Sequence, residues 1–220
     1  MAVYINSLDT GNGAFLDQLE RSALADEVPI IRQDMQSFLK VLLAIHKPKR
    51  ILEVGTAVGF SALLMAANTE EDCTITTIEK YEKRIPQAKK NFADAGMQER
   101  ITLLEGDAAE IMRTLQEPYD MIFMDAAKGQ YIYFLPEALR LLKTGGILIS
   151  DNVLQDGDII ESHYAVERRN RTIYKRMREY LYVLKHTDGL LTSIIPTGDG
   201  AAITVKQKDE ILLNTEAEIK

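Results

Sequence analysis

The sequence predicts an α/β protein: a mostly parallel sheet covered by helices on both faces, with the last strand antiparallel and extra helices ahead of it. Three patterns carry this expectation. From Arg50 onward, short apolar runs alternate with amphipathic segments of helical period, the order that builds strand–helix–strand units and a parallel sheet. Ahead of Arg50, apolar residues recur at helical spacing only. Near the end, LLTSIIPTGDGAAITVK holds two strand-like runs, 190–195 and 201–206, on either side of a turn at Thr197 to Gly200. That is a hairpin, so its second strand must oppose its neighbour.

In the N-terminal helical segment, residues 1–47, Phe15, Leu16, Leu19 and Leu24 form one run. Met35, Phe38, Leu39, Leu42 and Leu43 form a second, opened by Pro29. The core, residues 50–206, has strand-like runs RILEV (50–54), TITTIE (74–79), ITLLE (101–105), YDMIFMD (119–125) and GILISD (146–151). Helical segments at 60–68, 81–95, 108–116 and 131–143 separate them. With no internal repeat, low-complexity segment or Pro/Gly-rich linker, residues 1–220 read as one domain.

A composition of 46% hydrophobic and 27% charged residues is that of a soluble globular protein. Net charge of −7 argues against generic nucleic-acid binding, so any such contact needs a local basic patch. Cys73 is the only cysteine, which excludes an internal disulfide and a cysteine metal cluster and matches a reducing compartment. MAVYINSLDTGNG lacks the basic start and apolar run of a signal peptide, and no apolar run reaches membrane-spanning length. The expected location is the cytoplasm, with no membrane partner.

In an open parallel sheet, ligands bind beyond the carboxyl ends of the strands. Glu53, Glu79, Asp107, Asp125 and Asp151 all lie at or just past such an end. One acid there is an ordinary residue emerging into solvent; five on one rim point to a site. LEVGTAVGFSA, residues 52–62, follows the first strand and opens a helix. Its E-x-G-x-x-x-G spacing is neither the dinucleotide motif nor a P-loop, and it suits a nucleoside without a pyrophosphate. Glu79, ending the second strand, is placed to accept hydrogen bonds from two ribose hydroxyls. In Gly106-Asp107-Ala108, a carboxylate and a backbone amide can read an adenine edge.

The ordered set LEVGTAVGFSA, TTIEK, LLEGDA, IFMDAAKGQY and ISDNV resembles the class I S-adenosylmethionine-dependent methyltransferases. More narrowly it is similar to the metal-dependent O-methyltransferases of the catechol and caffeoyl-CoA type, over nearly the whole chain. The resemblance implies a Rossmann-like methyltransferase fold, with a seven-stranded sheet and an antiparallel last strand. It implies cofactor contacts from Met35, Glu53, Gly55, Phe60, Ser61, Glu79, Lys80, Asp107, Ala108 and Asp125. A homodimer is typical of the family, although no residue spacing shows one.

Asp125, Asp151 and Asn152 offer two carboxylates and an amide carbonyl, hard oxygen donors that suit Mg²⁺ or another divalent cation. Neither histidine nor cysteine lies nearby in sequence, which argues against zinc. An Asx turn at Asp151 and Asn152 is the plainer alternative, but it leaves Asp125 unexplained. A methyl on a sulfonium needs little activation, whereas an acceptor hydroxyl must attack as an oxyanion. A chelated cation lowers that hydroxyl's pKa, and Lys128, three residues past Asp125, is placed to take the proton. The resemblance gives a lysine the same role. The acceptor should therefore carry two adjacent oxygens, one of them an acidic hydroxyl.

ERRNRTIYKRMREYL, residues 167–181, is the strongest local clue to that acceptor. Residues 168–178 hold Arg168, Arg169, Arg171, Lys175, Arg176 and Arg178 and no acid. On a helix, Val166, Ile173, Met177, Leu181 and Leu184 form an apolar stripe and the six cations take the opposite side. A solvated face is the bland reading; a polyanionic substrate gripped by Arg168, Arg169, Arg171 and Lys175 is the sharper one. RRNRTIYKRMR with TSIIPTGDG resembles the bacterial members that methylate 5-hydroxyuridine at the transfer RNA wobble position. That base has vicinal oxygens and lies in an anticodon loop whose bases can be extruded. Two other readings stand beside it. One is a small-molecule catechol-type enzyme whose basic helix is incidental or holds a phosphorylated acyl carrier. The other is a non-enzymatic nucleotide-binding module, which has no use for a metal set beside a lysine.

Overall fold

The protein is described by a computed structural model covering Tyr4, residues 6–162, Tyr164 and residues 166–214. The opening residues read above for a leader, 1–3 and 5, lie outside the described residues. Two compact units divide the chain, Met1–Ala108 and Ala109–Lys220.

In the first unit, helices α1 (Ala14–Ala25) and α2 (Gln33–His46) precede β1 (Arg50–Val54), α3 (Phe60–Ala67), β2 (Thr74–Glu79), α4 (Ile85–Asp94) and β3 (Ile101–Glu105). β2 lies parallel between β1 and β3, with Leu52 opposite Thr76 and Ile78 opposite Leu104. Every residue of α3 except the last is buried, so this helix is apolar all round and forms the centre of the unit. Helices α1 and α2 pack on it. α2 does so through Met35, Leu39 and Leu43, spaced four apart on one face. α1 buries Leu16, Leu19 and Ala23 and leaves Phe15 and Leu24 facing solvent. α2 starts at Gln33, not at Pro29, because the segment before it is extended through Arg32.

α5 (Ala108–Thr114) leads into the second unit. There follow β4 (Tyr119–Met124), a 3₁₀ turn (Lys128–Gln130), α6 (Tyr131–Leu141), β5 (Leu142–Ser150), a second 3₁₀ turn (Gln155–Ile160), α7 (Arg171–His186), β6 (Leu190–Ile195) and β7 (Ala201–Lys206). β4 and β5 are parallel; β7 is antiparallel to both β5 and β6. Along the sheet the seven strands run β3-β2-β1-β4-β5-β7-β6, the mostly parallel sheet with one reversed strand that the sequence implies. β5 begins four residues earlier than its apolar run. Tyr119 pairs with Leu142 and Met121 with Ile147, so Lys143 to Gly146 form an irregular excursion in which two glycines hide the strand from sequence patterning. Among the described residues, no helix is long and apolar enough to cross a membrane.

Candidate active site

The loop from β1 to α3 alternates into left-handed backbone at Gly55 (φ 94°), Ala57 (φ 48°) and Gly59 (φ 87°). Gly55 N–H donates to the Ile78 carbonyl at 2.9 Å and Gly59 N–H to the Thr56 carbonyl at 2.7 Å, which fixes both ends of the turn. Glu79 closes it from β2. Its carboxylate accepts the N–H of Ala57 at 2.8 Å and of Tyr81 at 2.7 Å, one on each oxygen. A carboxylate has about four acceptor positions, so capacity remains for a pair of vicinal hydroxyls. Lys80 and Asp107 form an exposed ion pair at 3.5 Å at the ends of β2 and β3, next to Ala108 at the start of α5. Phe60 opens α3 and Met35 lies on α2, both fully buried.

Glu53 behaves differently from the other strand-end acids. It is fully buried, and its carboxylate accepts the hydroxyls of Ser61 and Thr77. Burial pushes its pKa up, against the downward pull of those hydroxyls. The folded state therefore holds the proton more tightly than the unfolded chain does. Stability from this group is complete below the ordinary carboxylate pKa and falls as pH rises through the folded pKa. Glu53→Gln should accordingly unfold at higher urea than wild type at pH 8, with the difference shrinking towards pH 4. Parallel denaturation curves with the opposite ordering would remove the burial argument.

In the second unit, Met124 pairs with Ser150, so Asp125 and Asp151 leave adjacent parallel strands at the same level. Asp151 N–H donates to the Met124 carbonyl at 3.0 Å. The Tyr131 hydroxyl ties the two strand ends: its proton is shared between the carbonyls of Met124 and Asp151, each at 3.1 Å, and it accepts the Ala126 N–H at 3.3 Å. Burial raises the Tyr131 pKa well above that of a free phenol, and the charges of Asp125 and Asp151 push the same way. This phenol is thus a neutral strut.

Asp151 is buried, accepts the N–H of Asn152 at 2.7 Å, and hands the chain to Asn152 in the left-handed region, φ 55°. Asp125, Asp151 and Asn152 bring only oxygen donors from adjacent strand ends, a donor set that would suit a hard divalent cation. Among the described residues no cluster of three or more His, Cys, Asp or Glu offers a different metal site.

Lys128 opens the 3₁₀ turn after β4, and its Nζ lies 2.9 Å from Asp199 Oδ2. The Asp199 side chain is 3% exposed and that of Lys128 29%. Asp199 sits in the β6–β7 turn, which is hydrogen-bonded to the segment following Asn152. Val153 N–H donates to Gly200 O and Leu154 N–H to Asp199 O, both at 2.9 Å. Sequence reading missed Asp199, because Thr-Gly-Asp-Gly was fully accounted for as a hairpin turn. The remaining signal was a sixth acid close to a strand terminus, on a different connection from the others.

The basic segment departs from expectation. α7 starts at Arg171, so Arg168 and Arg169 precede it. Arg176 donates to Gly129 O at 3.2 Å and lies 5.0 Å over the Tyr133 ring; Arg178 donates to Ile159 O at 3.2 Å and to the Tyr174 hydroxyl. Those two cations hold the scaffold together and are not on an open face. Arg171 is half-buried, its Nε on the Val166 carbonyl, and Arg169 pairs with Glu167. Arg168, Arg169 and Lys175 remain exposed.

A seven-stranded sheet of this order, with a glycine-containing first loop answered by Glu79, defines an S-adenosylmethionine-dependent methyltransferase. The chain belongs to the O-methyltransferase family, whose family model matches residues 7–207. It is 31% identical to a caffeoyl-CoA O-methyltransferase of Populus kitakamiensis over 77% of this chain and 75% of that one. A catechol O-methyltransferase of Niastella koreensis is 35% identical over 57% of this chain and 59% of its own length. Among solved structures, a Staphylococcus aureus protein provisionally named a caffeoyl-CoA O-methyltransferase superposes with a TM-score of 0.86 at 33% identity, covering 92% of this chain and 97% of that one. A Podospora anserina methyltransferase solved with S-adenosylhomocysteine gives a TM-score of 0.83 at 25% identity, covering 94% of each chain.

Proposed function

We propose that this enzyme is a divalent-cation-dependent O-methyltransferase whose acceptor is a small catechol-type compound with two vicinal oxygens. The observation that carries this reading is the set Asp125, Asp151 and Asn152 at adjacent strand ends, with Lys128 three residues beyond. Relatives named for catechol and caffeoyl-CoA support the acceptor class. When bound, S-adenosylmethionine supplies a methyl on a positive sulfonium, and a divalent cation such as Mg²⁺ supplies the charge that favours ionisation of the acceptor hydroxyl.

Asp125, Asp151 and Asn152 would hold the cation, and Glu79 would accept the ribose hydroxyls. Lys128 Nζ would take the proton of the acceptor hydroxyl and so leave its oxygen free to receive the methyl group. A second reading, 5-hydroxyuridine at the transfer RNA wobble position, is favoured by the exposed Arg168, Arg169 and Lys175.

The test offers purified enzyme, with S-adenosylmethionine and Mg²⁺, both catechol and an anticodon stem-loop bearing 5-hydroxyuridine. Methylated catechol, abolished by a chelator and restored by Mg²⁺, is the expected result. Methylation of the RNA alone would replace it with the second reading, and chelator-insensitive transfer would remove the metal from both.

A further inference from the structure

We propose that Asp199 is the positioning residue of the base: it orients Lys128 and stabilises the ammonium formed when Lys128 takes the acceptor proton. The inference rests on the reading of Lys128 given above. Three observations carry it. The contact between Lys128 Nζ and Asp199 Oδ2 is short, 2.9 Å, and its carboxylate side is almost wholly shielded from water. A shielded carboxylate accepts a hydrogen bond from the amine before it takes a proton as well as after, so the contact holds the flexible lysine stem in one place. The turn that carries Asp199 is closed by a backbone bond, Gly200 N–H to Thr197 O at 2.7 Å.

The third observation is the way the turn is locked. Leu154 N–H holds the Asp199 carbonyl, and Gly200, at φ 84°, lies directly under the Leu154 side chain. A Cβ at position 200 would sit 2.2 Å from Leu154 Cγ. The backbone that carries Asp199 is therefore fixed by the segment that follows Asn152, two residues after the last proposed metal ligand. Asp199 serves Lys128 as the aspartate of a hydrolase triad serves its histidine: it touches no reacting atom, sets the base's direction and offsets the charge it acquires.

The experiment is a double-mutant cycle on methyl transfer, using whichever acceptor the preceding test identifies, with a chemical probe of Lys128 alongside it. Asp199→Asn should lower kcat by about 10²-fold, within the range of positioned general-base catalysis, with KM for both substrates nearly unchanged. Lys128→Ala should lower kcat at least as far. Adding Asp199→Asn to Lys128→Ala should cost nothing more, since groups acting as one unit are non-additive. Without any substrate or metal, reductive methylation of Lys128, followed by peptide mass spectrometry, should be faster in Asp199→Asn than in wild type. Additive losses, or equal labelling in both proteins, would overturn the role of Asp199 while leaving Lys128 as base. An unimpaired Lys128→Ala enzyme would instead overturn the base assignment, and this inference with it.

Discussion

Asp151→Ala should abolish methyl transfer, by about 10³-fold or more in kcat, while S-adenosylmethionine still binds. The magnitude follows from what the carboxylate is asked to supply. A cation that favours ionisation of the acceptor and orients it contributes several kcal/mol, and each 1.36 kcal/mol is about tenfold in rate. Asp151 is the most buried of the three proposed ligands, and its backbone is held independently through Met124 and Tyr131. Removing the side chain takes away the charge and its bond to the Asn152 N–H, while the backbone bonds to Met124 and Tyr131 remain. Calorimetric titration with S-adenosylmethionine separates the effects, because Glu79 and the turned loop at Gly55 to Gly59 belong to the other unit. Retained turnover in rigorously purified Asp151→Ala would exclude this set as the metal site.

Gly59→Ala should be the most destabilising single-methyl addition in the first unit. The residue has φ 87°, and a Cβ built on it would lie 2.5 Å from the Phe92 ring. A non-glycine residue in the left-handed region costs roughly 1–2 kcal/mol, and overpacking a filled core costs about 1–3 kcal/mol more. Together these correspond to a fall in Tm of roughly 5–15 °C for a chain of this size. Phe92→Leu in the same protein should recover part of the loss by giving the new methyl room, which thermal unfolding of the two single variants and the double variant will show. A Gly59→Ala protein melting with wild type would mean that the loop relaxes freely. Gly59 thus answers to the packing of α4.

Most of the architecture was legible because it is written in local pattern. β1, β2 and β3 are short runs rich in Ile, Leu, Val and Thr, and their limits read from sequence agree with the structure. β5 was read short because Thr144-Gly145-Gly146 carries no side-chain pattern, and only pairing with β4 extends the strand to Leu142. Acids at strand ends were legible for the same reason as the strands. Partnerships across the sequence were not. Asp199 reaches Lys128 over 71 residues, and Tyr131 bonds the carbonyl of Asp151 over 20. No periodicity records either contact. The basic run misled in part, since charge composition does not say that Arg176 and Arg178 turn inward to carbonyls and rings.

The order of strands in the second unit also has a consequence for biosynthesis. β7 lies between β5 and β6, yet it is made last of the three. When β5 leaves the ribosome, its outer edge, Ile147 to Ser150, has no partner until Ala201 to Lys206 are translated. At about 5–20 residues per second, that interval lasts roughly 3–11 s. Throughout it, the nascent chain presents an unpaired apolar edge of the kind that pairs with other chains. Completion of this unit is therefore a late event in translation. Substitutions that weaken β7 will appear first as lost yield from cells, before the purified enzyme shows any defect.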